Sequence, residues 1–260
     1  AKQDWSGAGK LAPFPFERSA MDALIIAAGF GSRLRDISDS KPMTPIAGVP
    51  LLELGVRQAK AAGAQRVVVV TGHEADRLEA ALPALSARAG IPVLPQRVDD
   101  WSKPNGWSVL AGADVIQGNY LLMMSDHIFS GSILTRLAQQ GGPDRGVTLA
   151  VDFRCDHPLI DPDDATWVKL DGAGFIQMIG KTIDPYDAVD CGAFLCTPEL
   201  AAAIRAAIAE GKAGSLSEGM QKLADVGRAA TMDIGEAWWL DVDDPRAFDL
   251  AEAQAPRELP

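Results

Sequence analysis

The chain has 260 residues, 47% hydrophobic and 23% charged, and its 24 Lys and Arg against 35 Asp and Glu give a net charge of −11. That is apolar material for one large α/β core or two modest domains, and the acidic balance excludes a nucleic-acid surface, which would need clustered Lys and Arg. No run approaches the ~18 apolar residues of a membrane span and the N-terminus lacks the basic-then-apolar order of a signal peptide, so a cytoplasmic protein without direct membrane insertion is expected.

Residues 1–20 mix Gly, Pro, aromatic and charged residues without a period and are expected to form a flexible arm. The apolar run Ala23 to Ala28 lacks helical spacing and reads as a buried strand that breaks abruptly into Gly29-Phe-Gly31-Ser32-Arg33. The loop therefore leaves the C-terminal end of a strand, where open α/β sheets bind ligands. Its glycines let backbone N–H groups approach an oxyanion, Ser32 adds a hydroxyl, and Arg33 adds a forked cation suited to phosphate oxygens. Lys41, fixed beside Pro42, supplies a second positive charge. A dinucleotide loop would want a third glycine and an acidic residue about 20 residues on, and neither is convincing here.

Pro50 to Ala62 has helical spacing, ends at Gly63, and precedes the β-branched run Val67 to Thr71. A helix from Glu74 to about Ala89 and a strand from Ile91 to Arg97 complete a β-α-β-α-β order, which predicts a mainly parallel, doubly wound sheet. His73, at a strand-to-helix junction, reads as a satisfied loop histidine. In Asp99 to Leu110, Asn105-Gly106 precedes a helix, so Asn105 either caps it or turns its amide toward a pyrimidine edge. The strand through Asn119 to Met124 runs into Ser125-Asp126-His127, putting a carboxylate at the sheet edge of the glycine loop, where Mg²⁺ bound to phosphates needs a hard oxygen ligand.

From Gly146 the chain gains strands, Val147 to Phe153, Thr166 to Leu170 and Phe175 to Gly180, with Asp171 to Gly174 as a hairpin turn. Helices follow at Pro198 to about Glu210 and Leu216 to Ala224, then Trp238-Trp239-Leu240-Asp241-Val242-Asp243 and a C-terminal helix through Ala253. Cys155, Cys191 and Cys196 are odd in number and lack C-x-x-C spacing, so inert thiols are expected.

Leu24 to Leu34 with Lys41-Pro42 resembles the G-x-G-[ST]-R-[LM]…K-P signature of the nucleotidyltransferases that make nucleoside diphosphate sugars and related activated alcohols. Lys103-Pro-Asn105-Gly106-Trp107-Ser108 and Ser125-Asp126-His127 resemble the inositol-1-phosphate cytidylyltransferase branch of that family. The resemblance spans residues 22 to 250 in four separated, collinear matches.

It implies an α/β, Rossmann-like (GT-A-like) fold, with a mixed, mainly parallel sheet flanked by helices and an inserted acceptor-binding lobe. One domain over 21–255 is expected, its nucleotide-binding part at 21–145 and its acceptor-binding part at 146–255. The implied nucleotide site is Ala27, Ala28, Gly29, Gly31, Ser32, Arg33, Lys41, Asn105, Gly106 and Ser125. Lys181, Asp190 and Gly192 are implied at the acceptor, Arg33, Lys41 and Lys181 as the cations that assist transfer, and Asp126 and Asp241 as Mg²⁺ ligands, with Asp243 the fallback. His127 orients Asp126 in this reading. The implied reaction joins CTP to a phosphorylated polyol, inositol 1-phosphate, releasing pyrophosphate. UTP, a hexose 1-phosphate, phosphocholine or a phosphonate, and a non-catalytic nucleotide sensor, stay open as alternatives, as does a homodimer.

Overall fold

β1 (Met21–Ile26) is the strand around which the sheet is laid: Ala23, Leu24, Ile25 and Ile26 are all buried, the mark of a strand covered on both faces. The computed structural model describes residues 21–34, 38–142, 144–158 and 160–258; the arm at 1–20 and the Ser32 hydroxyl lie outside the described residues. Beyond β1, 3-10 turns at Ser32–Leu34 and Lys41–Met43 lead to a small hairpin of β2 (Pro45–Ile46) and β3 (Val49–Pro50), then to α1 (Leu51–Ala61). β4 (Ala64–Thr71), α2 (Ala75–Ala89) and β5 (Val93–Arg97) follow, and the β1–β4 and β4–β5 pairs are parallel, as the β-α-β-α-β order predicts.

α3 (Asn105–Ala113) then delivers the chain to β6 (Tyr120–Met124), parallel to β1 on its other side. β7 (His127–Phe129) and α4 (Gly131–Leu137) complete the first part. The second part supplies β8 (Val147–Asp152), β9 (Trp167–Leu170), β10 (Ile176–Gly180), β11 (Ala188–Cys196), α5 (Pro198–Ala209), α6 (Leu216–Ala224), β12 (Ala229–Asp233), β13 (Trp239–Asp241) and α7 (Pro245–Glu258). Its strands extend the same sheet, in the order β10-β9-β11-β6-β1-β4-β5, with β8 paired to β11 and β12. β11 runs antiparallel to β6, β8 and β9, so the sheet is parallel around the glycine loop and mixed beyond β6, where β12 pairs parallel with β8.

Because strand side chains alternate between faces, β1 feeds two cores. Ala23 and Ile25 share one core with Leu52 and Val56 of α1 and Leu82 and Leu85 of α2, while Leu24 and Ile26 share the other with Val109 of α3, Leu200 and Ile204 of α5 and Met220 of α6. A fully buried leucine such as Leu24 or Leu82 contributes about 1.5–3 kcal/mol through its removal from water. α6 starts on a capping box in which Ser215 and Glu218 satisfy each other's backbone N–H groups. A third, smaller core joins Leu34, Ile46 and Leu51 to Ile128, Leu240, Val242 and Ala251. That core returns the C-terminal segment to the sheet edge where the glycine loop ends. The three cysteines are free, two of them buried, and no described helix is long and apolar enough to cross a membrane.

Candidate active site

Parallel pairing of β1 and β6 brings their C-terminal ends together, with Ile26 in register with Met124, so the glycine loop and Ser125-Asp126 leave the sheet side by side. Ser125 N–H donates to the Ile26 carbonyl across this edge at 3.3 Å. Asp241 arrives from the opposite end of the sequence because β13 pairs antiparallel with β7, placing Asp241 in register with His127, and Val242 N–H donates to the Asp126 carbonyl at 2.9 Å.

The two loop glycines differ in what they are for. Gly29 faces open space, as a backbone that admits an oxyanion requires. Gly31 has φ +59°, and a Cβ there would lie 2.7 Å from Lys41 Cβ, so its glycine seats the lysine as well as turning the loop. Lys41, only 9% exposed, places Nζ 2.6 Å from Asp126 Oδ2 and also bonds Asp243 Oδ1. Arg33 reaches Asp243 Oδ2 with one amino group at 2.8 Å and Asp164 Oδ2 with the other at 2.9 Å. Lys181 pairs with the remaining oxygen of Asp164.

Asp126, His127 and Asp241 offer ligand atoms within 4.8 Å of one another. His127 Nδ1 stands 2.9 Å from Asp126 Oδ1 and 3.7 Å from Asp241 Oδ1, and the latter oxygen is buried without a hydrogen-bond partner among the described residues. An orphaned carboxylate oxygen beside a second carboxylate fits a divalent cation, for which hard oxygens are the preferred ligands. Asp243, with its oxygens on Lys41 and Arg33, is outside that cluster.

The electrostatics follow from these contacts. Burial acts to raise the Asp126 pKa, but Lys41 and His127 outweigh it and hold the carboxyl well below the usual range. Burial acts to lower His127, yet Asp241, Asp126 and Asp190 together raise it to about 9, so it is an imidazolium that donates to Asp126 at neutral pH. Asp241 goes the other way: burial raises it to about 6, His127 offsetting only part of the effect. Asp190, buried likewise, is raised to about 6 even though it accepts the Gly192 N–H at 2.7 Å.

Two clefts, each of about 290 Å³, open on either side of this group. The first is lined by Ala27, Ala28, Gly29, Gly31, Lys41, Trp101, Lys103, Ser108 and Ser125. The second is lined by His127, Asp164, Thr166, Lys181, Asp190, Gly192, Ser217, Trp239 and Asp241. Arg33, Asn105, Met124, Asp126 and Asp243 line both, forming the wall where the clefts meet. Gly192, at φ +74°, lets β11 pass so close to His127 that a Cβ would lie 2.5 Å from the ring.

Two site residues depart from their expected settings. Asn105 does not precede α3 but is its first residue, with Pro104 at the cap position, and its side-chain oxygen accepts the Leu216 N–H at 2.9 Å, tying α3 to the start of α6. Gly106 is buried against the Gly214 carbonyl, where a Cβ would fall 2.2 Å away, so it serves the contact with the α6 start rather than an open base pocket. Asp164 was not singled out by the sequence, and Trp239, part of the stretch that carries Asp241, was given no role of its own. Asp164 sits in the acidic loop Asp161-Pro-Asp-Asp164, which has no period to mark it; Trp239 donates to Asp152 at 2.9 Å and stacks on His127 with ring centroids 5.9 Å apart.

Comparison with known proteins agrees with this architecture. The chain is 35% identical over 181 residues to the bifunctional IPC transferase and DIPP synthase of Rubrobacter xylanophilus, and 29% identical over 199 residues to the protein of the same name from Aquifex aeolicus. These matches take in 69% and 75% of this chain but 39% and 44% of the relatives, so the chain spans well under half of their length. The solved inositol-1-phosphate CTP transferase from T. maritima superposes with a TM-score of 0.80 at 23% identity, covering 93% of this chain and 99% of that one, and a UDP-glucose pyrophosphorylase bound to UDP-glucose with 0.74 at 17%. The fold is thus the mixed-sheet, GT-A-like fold of nucleotidyltransferases. Residues 23–171, which carry the glycine loop, Lys41, Asn105 and Asp126, match the MobA-like NTP transferase domain, and the protein belongs to that family.

Proposed function

We propose that this chain condenses CTP with a phosphorylated polyol, inositol 1-phosphate, giving a CDP-alcohol and pyrophosphate. The observation that carries the reading is the shared wall of Arg33, Asn105, Asp126 and Asp243: a cleft with a glycine loop and a buried lysine opens directly onto one lined by Lys181, carboxylates and hydroxyls. A phosphate oxygen of the acceptor attacks the α-phosphorus of the nucleotide, and the bond from that phosphorus to the oxygen bridging it to the β-phosphorus breaks as pyrophosphate leaves. The acceptor phosphate is already ionised, so no side chain need remove a proton. What the chain supplies is position and charge: Lys181 for the acceptor phosphate, Arg33 and Lys41 for the nucleotide phosphates, in a site of reduced dielectric. Asp126 and Asp241 would hold a divalent cation, Mg²⁺ in this proposal, whose charge offsets the repulsion between the two anions. Asp190, Thr166 and Ser217 offer acceptors and donors for ring hydroxyls.

The choice of cytosine rests on the relatives named above and on Asn105. The Leu216 N–H can only donate, so the atom it meets must be the amide oxygen, and the group left for a ligand is the amide NH₂. Directed at N3, the donor suits the bare nitrogen of cytosine and opposes the N3–H of uracil, whereas at position 4 it would favour the uracil carbonyl, so in this proposal the amide meets N3. CTP is therefore expected to exceed UTP in kcat/KM by at least roughly tenfold, the ratio that ~1.4 kcal/mol gives. The test is pyrophosphate release with each nucleotide against inositol 1-phosphate, a hexose 1-phosphate, phosphocholine and a phosphonate. Equal or better constants with UTP, or turnover only with another acceptor, would overturn the assignment of that substrate.

A further inference from the structure

At the lip of the glycine-loop cleft stand two large aromatic side chains that nothing in the phosphate chemistry requires. Phe30 projects from between Gly29 and Gly31, and Trp101 comes from the loop after β5; they are 44% and 42% exposed. Their planes are within 11° of parallel with ring centroids 6.3 Å apart. His73 stands steeply inclined to both, at 4.8 Å from Phe30 and 4.9 Å from Trp101, and closes one side of the gap. Leaving a tryptophan and a phenylalanine half in water costs free energy that a fold would recover by turning them inward, and here they are held near-parallel at the surface instead. A flat ring between two faces needs their planes about 7 Å apart, and centroids 6.3 Å apart set the planes no further apart than that, so a base seats itself by widening the gap. Trp101 also lines the same cleft as Gly29, Lys41, Asn105 and Ser108, which sets the aromatic pair beside the glycine-loop cleft.

We infer that Phe30 and Trp101 form an aromatic clamp that stacks on the nucleobase, fixing the nucleotide's outer end while Asn105 reads the edge of the ring. The inference rests on the nucleotide reading above and adds the residues that give the base its affinity. Stacking and edge recognition divide the work in a testable way. Every base has a π-face, so stacking is indifferent to identity; hydrogen bonding at the edge is not. Losing a clamp residue therefore weakens CTP and UTP by the same factor, whereas losing the Asn105 amide changes their ratio. His73 supports the two walls, and its N–H donates to the Ala28 carbonyl at 2.9 Å, which anchors this wall to the glycine loop.

The experiment is calorimetric titration of CTP, UTP and inorganic tripolyphosphate into the full chain and into Trp101→Ala, Phe30→Ala and Trp101→Phe. The clamp predicts about tenfold weaker binding of both nucleotides to each alanine variant. It also predicts unchanged tripolyphosphate binding, which doubles as a check that the glycine loop is intact, and substantial recovery in Trp101→Phe. Undiminished CTP affinity in the alanine variants overturns the clamp. So does a parallel loss of tripolyphosphate, which would make Phe30 and Trp101 props for the loop. A wild-type chain that binds tripolyphosphate but neither nucleotide, or none of the three, overturns the nucleotide reading itself, and the clamp falls with it.

Discussion

Glu53 and Asp241 are carboxylates that each place an oxygen out of reach of water, Glu53 closed in the core and Asp241 with its side chain 34% exposed at a cleft, and the fold treats them in opposite ways. Glu53, on α1 and 1% exposed, has both oxygens engaged: Oε1 accepts from Arg57 at 2.5 Å, and Oε2 accepts from Arg88 Nε and Nη2 at 2.8 and 2.6 Å. Burial acts to raise its pKa, but the two guanidiniums outweigh it and hold the carboxyl below its ordinary range. Asp241 has a buried oxygen with no donor within hydrogen-bond reach among the described residues, and burial pushes it up to about 6. A buried charge is costly unless paired. Glu53 is completed by the protein's own arginines and so belongs to the architecture, whereas Asp241 is left incomplete on the wall of the second cleft, which suits a ligand that enters from outside.

The largest expected effect tests the Asp241 side of this contrast. Asp126→Asn and Asp241→Asn should each lower kcat by on the order of 10²-fold, the scale of removing one preorganised electrostatic group from a reacting centre. The two should differ in stability. Asp241→Asn replaces an unsatisfied charge by a neutral group of similar size, so its Tm should match or exceed wild type. Asp126→Asn removes the partner of buried Lys41 and should melt lower. Paired kinetic and thermal scans check this, and wild-type turnover of Asp241→Asn at low Mg²⁺ would take that residue out of the metal site.

A smaller effect separates the cations of the two clefts. Lys181 is 57% exposed and pairs only with Asp164 among the described residues, so Lys181→Ala should raise KM for inositol 1-phosphate about tenfold, with KM for CTP and Tm unchanged. Lys41 is buried between Asp126 and Asp243, so Lys41→Met should reduce nucleotide turnover and stability together. Matching losses for both substrates in both variants would mean that the two clefts do not divide the phosphates as proposed.

Much of this arrangement was legible in the sequence where the signal is local. The apolar run of β1 ending at Gly29, the β-branched run of β4, and Ser125-Asp126 at the end of β6 announce strands that stop at one edge, and the resemblance gave those ends their chemistry. What stayed hidden depends on contacts between distant segments. Arg33 meets Asp164 across 131 positions, Asn105 meets Leu216 across 111, and Lys41 meets Asp243 across 202. No periodicity marks such a partner, because side-chain spacing reports only which face of one element is buried. Asn105 shows the consequence: as a residue type it suits a cap or a base, and only the arrival of α6 settles which way its amide turns. Glu53 was invisible for the same reason, since Arg57 lies one turn along α1 but Arg88, 35 positions away, comes from α2.

The smallest effect expected on activity is that of Glu53→Gln, which sharpens the comparison from the structural side. Both arginines are about half exposed and regain water when the charge is lost, so the cost is that of their hydrogen bonds to a buried carboxylate, about 2 kcal/mol, and a Tm lower by roughly 4–8 °C. Turnover at temperatures where both proteins are folded should be unchanged, because α1 contributes none of the residues lining either cleft. The pH dependence follows from the direction of the Glu53 shift. Its folded pKa lies below the unfolded value of about 4.3, so its stabilisation is complete above that pH and is lost as pH falls through the folded value. The stability gap between wild type and Glu53→Gln should therefore stay constant from pH 7 to about 5 and narrow below about 4, as urea unfolding at each pH would measure. A gap that stays constant below pH 4 would mean that the glutamine loses packing rather than charge, and Glu53 would then cease to be the paired counterpart of Asp241.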